Sequence, residues 1–584
     1  MGTMGLTASL YIGQSALAAS QLALQVTGNN LANAATPGYH RQRVDQVAVP
    51  GQQAGARQFV GRGVGIQEIR RLIDPALQAR LRDSVSAESA SLIDQSVLSQ
   101  IETITSATGD GQNDLSGLLT RMFNSFSEIA NNPAQPTARA AVIEQGAALA
   151  RHLTDVRRQL IGQRDQVDSQ LADNVSQANS LLEQIASLNA AIINSEGGQG
   201  GLNGNGNLRD QRDRLLSDLG ELMEITVCDK GNGVVDVLAG STPIVLGTTA
   251  RPLSFRLQTE DGELKADVLA ANTSEEITIN SGKIGALLAN REGPVQSTIR
   301  DIDSLASSLI FEVNKIHALG RPASRLTDIT GGLQVAIPDQ TRALNDPANS
   351  TFAKLPFKAV NGSFTMKITD AAGNSSVTKI DIDLDGITNT GAPGTANDST
   401  LASIVAAIDG AANVSATITS AGQIRITTAA GYDVSFADDT SGALAVLGVN
   451  SFFTGKDATD IGVRADLRAN PTRLTIGSDD GKNEAALAIA GLRTAKLSTL
   501  AGQSLNDLWS GAVGRNAVSL QTANARADSL STVRQSLEAQ EAALSGVSTD
   551  EESINLITYQ QQYQGAARFI SVVNDMTQIL LQLV

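Results

Sequence analysis

The sequence is poor in cysteine, aromatic residues and long apolar runs, and each shortage excludes a class of protein. Only one of the 584 residues is cysteine, so neither an intrachain disulfide nor a cysteine-ligated metal site can form. That residue, Cys228, follows Ile225-Thr-Val227, which predicts a small core residue in a strand. Aromatic residues make up 3%, and no stretch approaches the ~20 consecutive apolar residues of a membrane span.

Positive charge and histidine are also scarce. Sixty acidic residues outnumber 44 basic ones, and the basic ones occur at most as short pairs such as Arg70-Arg71, so a nucleic-acid partner is not expected. The histidines, His40, His152 and His317, are scattered, and no zinc-protease, nucleophile-elbow or phosphate-loop motif is present. The sequence therefore predicts no catalytic, metal or cofactor-binding site, no membrane insertion and no enzyme.

Two coiled-coil stripes stand at the chain ends. The first consists of leucines spaced four and then seven apart: Leu6, Leu10, Leu17, Leu24 and Leu31. The second steps by three and four residues through Leu556, Tyr559, Tyr563, Ala566, Ile570, Val573, Thr577, Leu580 and Val584. Such spacing is typical of an a/d seam, so we expect the ends to pair with each other and with neighbouring copies. This arrangement favours assembly over catalysis.

The length and the patterns between the ends predict an α+β multidomain protein. It would combine coiled-coil-forming terminal helices, a long helical-bundle rod domain with small β elements, and an inserted β-rich outer domain. The predicted division is 1–80 (N-terminal axial core helix and hairpin), 81–321 (helical rod domain, first part), 322–470 (outer domain), 471–546 (helical rod domain, second part) and 547–584 (C-terminal axial core helix). Pro322 and Pro471 border the insert, and we expect it to fold as a separate unit.

Three local patterns carry further predictions. Ser548-Thr-Asp-Glu551 fits a capping box that would begin the last helix. Asp210-Gln-Arg-Asp213 predicts polar contacts with adjacent helices. Asp381-x-Asp383-x-Asp385-Gly386 has the opening of a calcium loop, but its twelfth position is Ala392 instead of the bidentate glutamate. The run also fits a strand with solvent-facing aspartates. Calcium is therefore expected to change the melting temperature of the 322–470 insert little.

Both termini resemble one family. The run from Asn30 to Tyr39, Asn-Leu-Ala-Asn-Ala-Ala-Thr-Pro-Gly-Tyr, followed by Arg41-Gln42, resembles the signature shared by rod, hook and hook-associated proteins of the bacterial flagellum. The segment 548–571 is similar to the other end of the same proteins. The helical stretch 84–195, the run Leu208–Leu216 and the segment 448–455 resemble the members at the hook–filament junction. The resemblance is thin over 322–445.

This resemblance implies a structural, self-assembling protein that forms the junction between hook and filament. Copies would form a ring or short helical zone, with hook protein on one side and the third hook-associated protein on the other. The N-terminus shows no signal-peptide pattern. The resemblance accounts for this by export through the flagellar type III channel to an extracellular position, with a chaperone at the C-terminal helix.

The expected assembly interface combines the two stripes with the N-terminal signature. It comprises Leu10, Leu17, Leu24, Leu31, Asn30, Asn33, Thr36, Pro37, Gly38, Tyr39, Leu556, Tyr559, Tyr563, Ala566, Ile570, Val573 and Leu580. Two alternatives stay open at this point: a hook or distal rod structural protein of the same family, and a glycan-active or glycan-binding protein that acts through the 322–470 insert.

Overall fold

The structure is a computed structural model that describes residues 2–55, 58–106, 114–196, 205–231, 233–260, 263–478 and 482–582. The chain divides into two compact units. The terminal unit consists of Met1–Val97, Val167–Glu292 and Leu520–Val584, and the central unit consists of Leu98–Gln166 and Gly293–Ser519. The predicted α+β multidomain class is confirmed, with long helices at both termini and several small sheets.

Helices provide most of the regular structure in the described residues. In chain order they are α1 (Gly2–Ala32), α2 (Pro75–Thr105), α3 (Leu115–Asn131), α4 (Pro136–Glu196), α5 (Gly206–Leu222), α6 (Gly282–Asn290), α7 (Gln296–His317), α8 (Ser350–Ala353), α9 (Leu401–Asp409), α10 (Ala443–Leu447), α11 (Ala465–Ala469), α12 (Glu484–Gly491), α13 (Leu505–Ser545) and α14 (Thr549–Gln582). A π-helical turn, Arg291–Val295, joins α6 to α7 at Pro294. None of the described helices is long and apolar enough to cross a membrane.

The strands are short, and most of their pairings join strands that are close in the sequence. They are β1 (Gln42–Ala48), β2 (Gln52–Gly55), β3 (Gln58–Val60), β4 (Val64–Arg71), β5 (Thr226–Asp229), β6 (Val235–Ala239), β7 (Thr242–Leu246), β8 (Thr249–Ala250), β9 (Leu253–Glu260), β10 (Glu263–Ala270), β11 (Glu275–Glu276), β12 (Arg321–Pro322), β13 (Asp328–Thr330), β14 (Gly362–Thr369), β15 (Ser375–Ile382), β16 (Val414–Ile418), β17 (Ile424–Thr428), β18 (Asp433–Ala437), β19 (Phe453–Thr454), β20 (Gly462–Val463) and β21 (Thr475–Gly477).

In the terminal unit, α1 and α14 pack along one another beside the antiparallel hairpin β1/β4. A small apolar cluster of Ala23, Val26 and Val44 joins helix to hairpin, and Tyr559 of α14 packs against it. The predicted C-terminal stripe therefore contacts the N-terminal helix of the same chain, as the pairing of the ends requires.

The helix α5 links the hairpin to the rest of the terminal unit. Its Arg212 is buried and donates to Oδ1 of Asn189 (3.0 Å) and to the carbonyl of Gly233 (2.6 Å), which ties α5 to α4 and to the start of β6. Cys228 lies nearby on β5, at the edge of the sheet β5-β6-β7-β8. Its side chain is exposed, so the prediction of a buried cysteine is wrong: β5 has a neighbouring strand on one side only, and its side chains are little covered.

The core of the central unit contains a segment that the sequence assigns to the outer domain. Phe452 packs its ring against Phe126 of α3, with ring centroids 5.5 Å apart, and against His317 at 5.8 Å. The side-chain amide of Asn314 accepts from the backbone N–H of Phe452 and Phe453 and donates to the carbonyl of Phe453. The segment around residues 449–463 therefore belongs to the core built by the helices.

Two antiparallel sheets, β15-β14-β18 and β13-β17-β16, form the β-rich part of the central unit, with α9 packed on β16 and β17. Alternating apolar residues in the sequence match the strands β14, β15, β16 and β17 of these sheets. The chain enters and leaves this part side by side, because the N–H of Gly332 donates to the carbonyl of Gly448 at 3.1 Å.

Candidate functional site at the two chain ends

The site begins with the turn that follows α1. Thr36 accepts the backbone N–H of Tyr39 at 3.2 Å, which closes a four-residue turn with Pro37 and Gly38 in the middle. Proline presets the second position, and Gly38 has a φ of +74°, which a type II turn requires at its third position. This turn reverses the chain, so that Tyr39 and the residues after it return along α1.

Asn30 holds this returning segment with every hydrogen-bonding group of its side chain. Its Oδ1 accepts from the hydroxyl of Tyr39 (2.8 Å) and the N–H of Gln42 (3.0 Å), and its Nδ2 donates to the carbonyl of Gln42 (2.9 Å) and to Oε2 of Glu552 (3.1 Å). Asn30 is almost fully buried. Only a side chain with two donors and two acceptor lone pairs satisfies this arrangement, and asparagine provides it.

Arg41 completes the link to α14. Its guanidinium contacts Oε2 of Glu551 and Oε1 of Glu552, both at 2.7 Å, and its backbone N–H donates to the carbonyl of Ser545 at 2.9 Å. Glu552 is 2% exposed, whereas the side chain of Glu551 is 63% exposed. We call Asn30, Arg41, Glu551 and Glu552 the terminal clasp, because these four side chains connect the first helix to the last.

Glu551 has a different role from the one its sequence position predicts. Ser548 accepts the N–H of Glu551 at 3.4 Å, which is one half of the predicted capping box. The reciprocal bond from the glutamate side chain is not made, since the carboxylate of Glu551 contacts Arg41. Arg41 pairs with the carboxylate of Glu551, which would otherwise complete the capping box with the N–H of Ser548.

A second cluster fixes the hairpin to α5. Nδ1 of His40 lies 2.7 Å from Oδ1 of Asp210, and Arg71 bridges Asp210 and Asp213 with two contacts of 2.7 Å. The sequence predicted polar contacts for the two aspartates, but their partners lie on and beside the hairpin instead of on adjacent helices. Although the spacing of one histidine and two carboxylates would suit a metal ion, the guanidinium of Arg71 and the imidazolium of His40 together balance the two carboxylates.

The environment of His40 favours its charged form. Burial lowers the pKa of this imidazole, but hydrogen bonds to the carboxylates of Asp210 and Glu541 outweigh burial and raise the pKa from 6.5 to about 9. The hydrogen bond to His40 correspondingly lowers the pKa of Glu541. For Tyr39, burial and the carboxylates of Asp210 and Glu552 raise the pKa to about 12, so its hydroxyl stays protonated.

This raised pKa predicts a loss of stability at alkaline pH. Because the folded-state pKa of His40 exceeds its unfolded value, its contribution is fully present below pH 6.5 and is lost as the pH rises through about 9. The full contribution is roughly 3 kcal/mol. Thermal unfolding should therefore separate wild type from His40→Gln by several degrees at pH 6, and the difference should shrink steadily towards pH 9.5. A difference that stays constant across this range would contradict the assignment of the charged form.

The structure places the predicted interface residues at very different depths. Asn30 and Val573 are buried, and Leu31, Thr36, Pro37 and Gly38 are exposed. The intermediate group comprises Leu10, Leu17, Leu24, Asn33, Tyr39, Leu556, Tyr559, Tyr563, Ala566 and Ile570. The side chain of Leu580 and the whole of Val584 lie outside the described residues. Whether these positions contact neighbouring copies remains a prediction.

Sequence reasoning missed two buried charged groups of this site, Glu552 and His40. The local sequence places Glu552 in the acidic first turn of α14 and gives no partner for it or for His40. Their partners lie 522 residues away for Glu552 and 170 for His40, beyond any local pattern. A usable signal is the presence of His40 and Arg41 directly after the turn, because charged side chains in a buried segment need partners.

Comparisons with known proteins match three parts of the chain to flagellar families. Residues 98–330 match the family described as Flagellar hook-associated protein FlgK helical domain. Residues 10–40 match Flagella basal body rod protein, and residues 541–583 match Flagellar basal body rod FlgEFG protein C-terminal. The two terminal matches contain the helices that the clasp connects.

Full-length relatives share the same name. The flagellar hook-associated protein 1 of Salmonella typhimurium (strain LT2) is 26% identical over 577 residues, covering 97% of this chain and 98% of the relative. The namesake from Bacillus subtilis (strain 168) is 26% identical over 580 residues, covering 97% and 96%. Among solved structures, the flagellar hook junction protein FlgK from Burkholderia pseudomallei matches 80% of this chain and all of its own at 17% identity, with a TM-score of 0.46.

Proposed function

Since this chain belongs to the flagellar hook-associated protein 1 family and is a structural protein of the hook–filament junction, we propose that it assembles through its paired terminal helices. One face of α14 is occupied by the chain's own α1, and the opposite face is available to neighbouring copies. The observation that carries this proposal is a stripe of exposed apolar side chains on the last helix.

The stripe lies on the side of α14 that points away from α1. It consists of Ile554, Ile557, Val572, Met576 and Ile579, which are between 53% and 65% exposed. Successive members fall on one helical face, and the residues that are half-buried or buried lie on the other. Several exposed apolar side chains on one helical face are typical of a protein–protein contact.

The inner face uses small residues to bring the helices close. A Cβ atom at Gly13 would lie 2.7 Å from Cγ1 of Ile570 and 3.1 Å from Cδ1 of Phe569, so only glycine fits there. Ala16 and Ala566 line the same groove between α1 and α14. The close approach of the two helices packs Ile570 against α1, whereas the stripe on the other face of α14 stays exposed.

The proposal also covers the binding partners of this protein and its route of export. Copies would form a ring or short helical zone, bounded by hook protein on one side and the third hook-associated protein on the other. The chain would reach this position by flagellar type III export, unfolded, and act there without catalysis. An export chaperone would cover the apolar stripe of α14 before assembly, because a solvent-exposed stripe of this size promotes aggregation.

Three adjacent substitutions test the two faces of α14. Ile570→Asp places a carboxylate against α1 and should separate the terminal helices, at a cost of several kcal/mol. Val572→Asp changes the outer stripe, where Val572 is 55% exposed, so the chain should fold normally but fail to assemble. Ser571→Asp adds the same charge between these two positions, at an exposed residue, and should be tolerated.

Each variant would replace the native gene, with two measurements: the amount of this protein outside the cell, and the fraction of hooks that carry filaments. We expect normal export and bare hooks for Val572→Asp. Filaments at wild-type frequency with Val572→Asp would contradict the outer face as the assembly surface. Accumulation of Val572→Asp inside the cell would instead assign this stripe to the export chaperone.

A further inference from the structure

Three aspartates meet in the β-rich part of the central unit. Asp383 and Asp385 follow the end of β15, and Asp398 comes later in the chain, shortly before α9. One carboxylate oxygen from each of the three lies within 4.8 Å of the others. The intervening loop is folded back by a β-bridge between Ile387 and Pro393, which brings Asp398 to the other two.

One of these carboxylates is buried with an unsatisfied oxygen. Asp398 is 4% exposed, and its Oδ2 accepts from the N–H of Gly386 (3.2 Å) and from Nδ2 of Asn345 (2.5 Å). Its Oδ1 is buried and has no hydrogen-bond partner in the described part of the chain, and the same is true of Oδ1 of the adjacent Asn397. Buried oxygens without a donor are costly, so each needs an explanation.

The charge of the cluster is also uncompensated by protein groups. Within the described residues, no lysine or arginine forms an ion pair with Asp383, Asp385 or Asp398. The neighbouring Asp381 differs, because it is exposed on β15 and pairs with Lys379 at 2.6 Å. Three converging carboxylates without a basic partner, one of them buried, form an environment that a hard divalent cation would stabilise.

We propose that Asp383, Asp385 and Asp398 bind a calcium ion, with the amide oxygen of Asn397 as a further candidate ligand. Every group in the set is an oxygen donor, which suits calcium or magnesium and excludes the softer metals. Calcium is favoured because it accepts irregular, carboxylate-rich coordination, whereas magnesium demands near-octahedral geometry. Asp385 is exposed, so water would complete the coordination sphere and the Kd would lie in the ~10⁻⁴–10⁻³ M range of weak calcium modules.

This site reverses the expectation drawn from the sequence. The spacing rule asks for a glutamate at the twelfth position of a contiguous loop and finds Ala392 there. In the structure the third carboxylate comes instead from Asp398, and Asp381, the first residue of the motif, takes no part. Nδ2 of Asn397 donates to Oδ2 of Asp383 at 3.1 Å, which fixes one carboxylate in place before any ion arrives.

The test uses the full chain, stripped of metal with EGTA. Terbium luminescence would be titrated, with calcium and magnesium as competitors, and thermal unfolding followed with each ion at millimolar concentration. We expect calcium to displace terbium and to raise the melting temperature of one transition by a few degrees, with a much smaller effect of magnesium. No calcium-dependent change in either measurement, or equal competition by magnesium, would overturn the proposal.

Single substitutions locate the ion. Asp385→Asn and Asp398→Asn should each weaken calcium binding at least about tenfold, because each removes one carboxylate charge from the ligand set. The matched control is Asp381→Asn, in the same sequence run but outside the cluster, which should bind calcium within about twofold of wild type. If Asp398→Asn misfolds, the exposed Asp385 still decides the outcome. An equal loss in Asp381→Asn would show diffuse surface binding and overturn the proposed site.

Discussion

Glu552→Ala is expected to detach the last helix from the first. The substitution leaves a donor of the buried Asn30 without its partner and removes one of the two carboxylates that Arg41 holds. Removing one member of a buried charged network costs about 3–5 kcal/mol, since the remaining groups are left unpaired. Deuterium exchange should show faster opening of α1 and α14, with little change in the central unit.

Glu551 supplies a matched control for this experiment. It contacts the same guanidinium at the same distance of 2.7 Å, but its side chain is 63% exposed. An exposed ion pair contributes little, so Glu551→Ala should cost less than about 1 kcal/mol. Equal exchange rates in the two variants would show that burial is not what gives the clasp its strength. Filament attachment should follow the same order, being lost with Glu552→Ala and kept with Glu551→Ala.

The second large effect concerns the borders of the outer domain. Deleting residues 324–468 removes Phe452, Phe453 and the polar contacts of Asn450, all of which belong to the core beside α3 and α7. Loss of a buried phenylalanine alone costs about 3–5 kcal/mol. The central unit should therefore lose its cooperative unfolding transition in this deletion, contrary to the expectation for a separately folded insert at 322–470.

Deleting residues 333–447 and joining the ends by a short flexible linker should be tolerated better. Gly332 and Gly448 are already hydrogen-bonded neighbours, so the linker spans a short distance, and Asn450, Phe452 and Phe453 remain in the chain. Circular dichroism and thermal unfolding of the two deletions would be compared, together with Phe452→Ala in the full chain. If the 324–468 deletion unfolds as cooperatively as the 333–447 deletion, the separately folding insert has the borders 322 and 470 that the sequence predicts.

The sequence predicted elements well wherever the signal is local. The strand 414–418 follows from alternating apolar residues, and the turn at Thr36-Pro37-Gly38 follows from the dihedral preferences of proline and glycine. Cys228 was misplaced, because alternation within a strand does not reveal whether that strand lies at a sheet edge. The role of Phe452 was missed for a similar reason: composition marks the region around it as β-rich, but only the fold shows which core it enters.

The two helical stripes illustrate the same limit in another way. Heptad spacing draws attention to Leu10, Leu17 and Leu24, yet these are only half-buried. Gly13 lies directly against Ile570 of α14, yet a search for apolar periodicity passes over it. Small residues contribute little hydrophobicity but allow close approach, so a pattern based on apolar side chains underestimates them. The clasp was invisible for a simpler reason, since its partners lie at opposite ends of the chain.

The separation of those partners makes the contact between the two chain ends entropically costly to form. Asn30 and Glu552 are 522 positions apart, and closing a loop of that length in an unfolded chain costs about 5–6 kcal/mol in entropy. The hydrogen bond from the N–H of Arg41 to the carbonyl of Ser545 brings α13 and the hairpin together and already incurs most of that entropic cost. Only α14 then remains to pack against α1. We expect the clasp to form after that contact, because its two ends are then already held close together. A chain emerging from the ribosome keeps α1 without its helical partner until α14 has been synthesised.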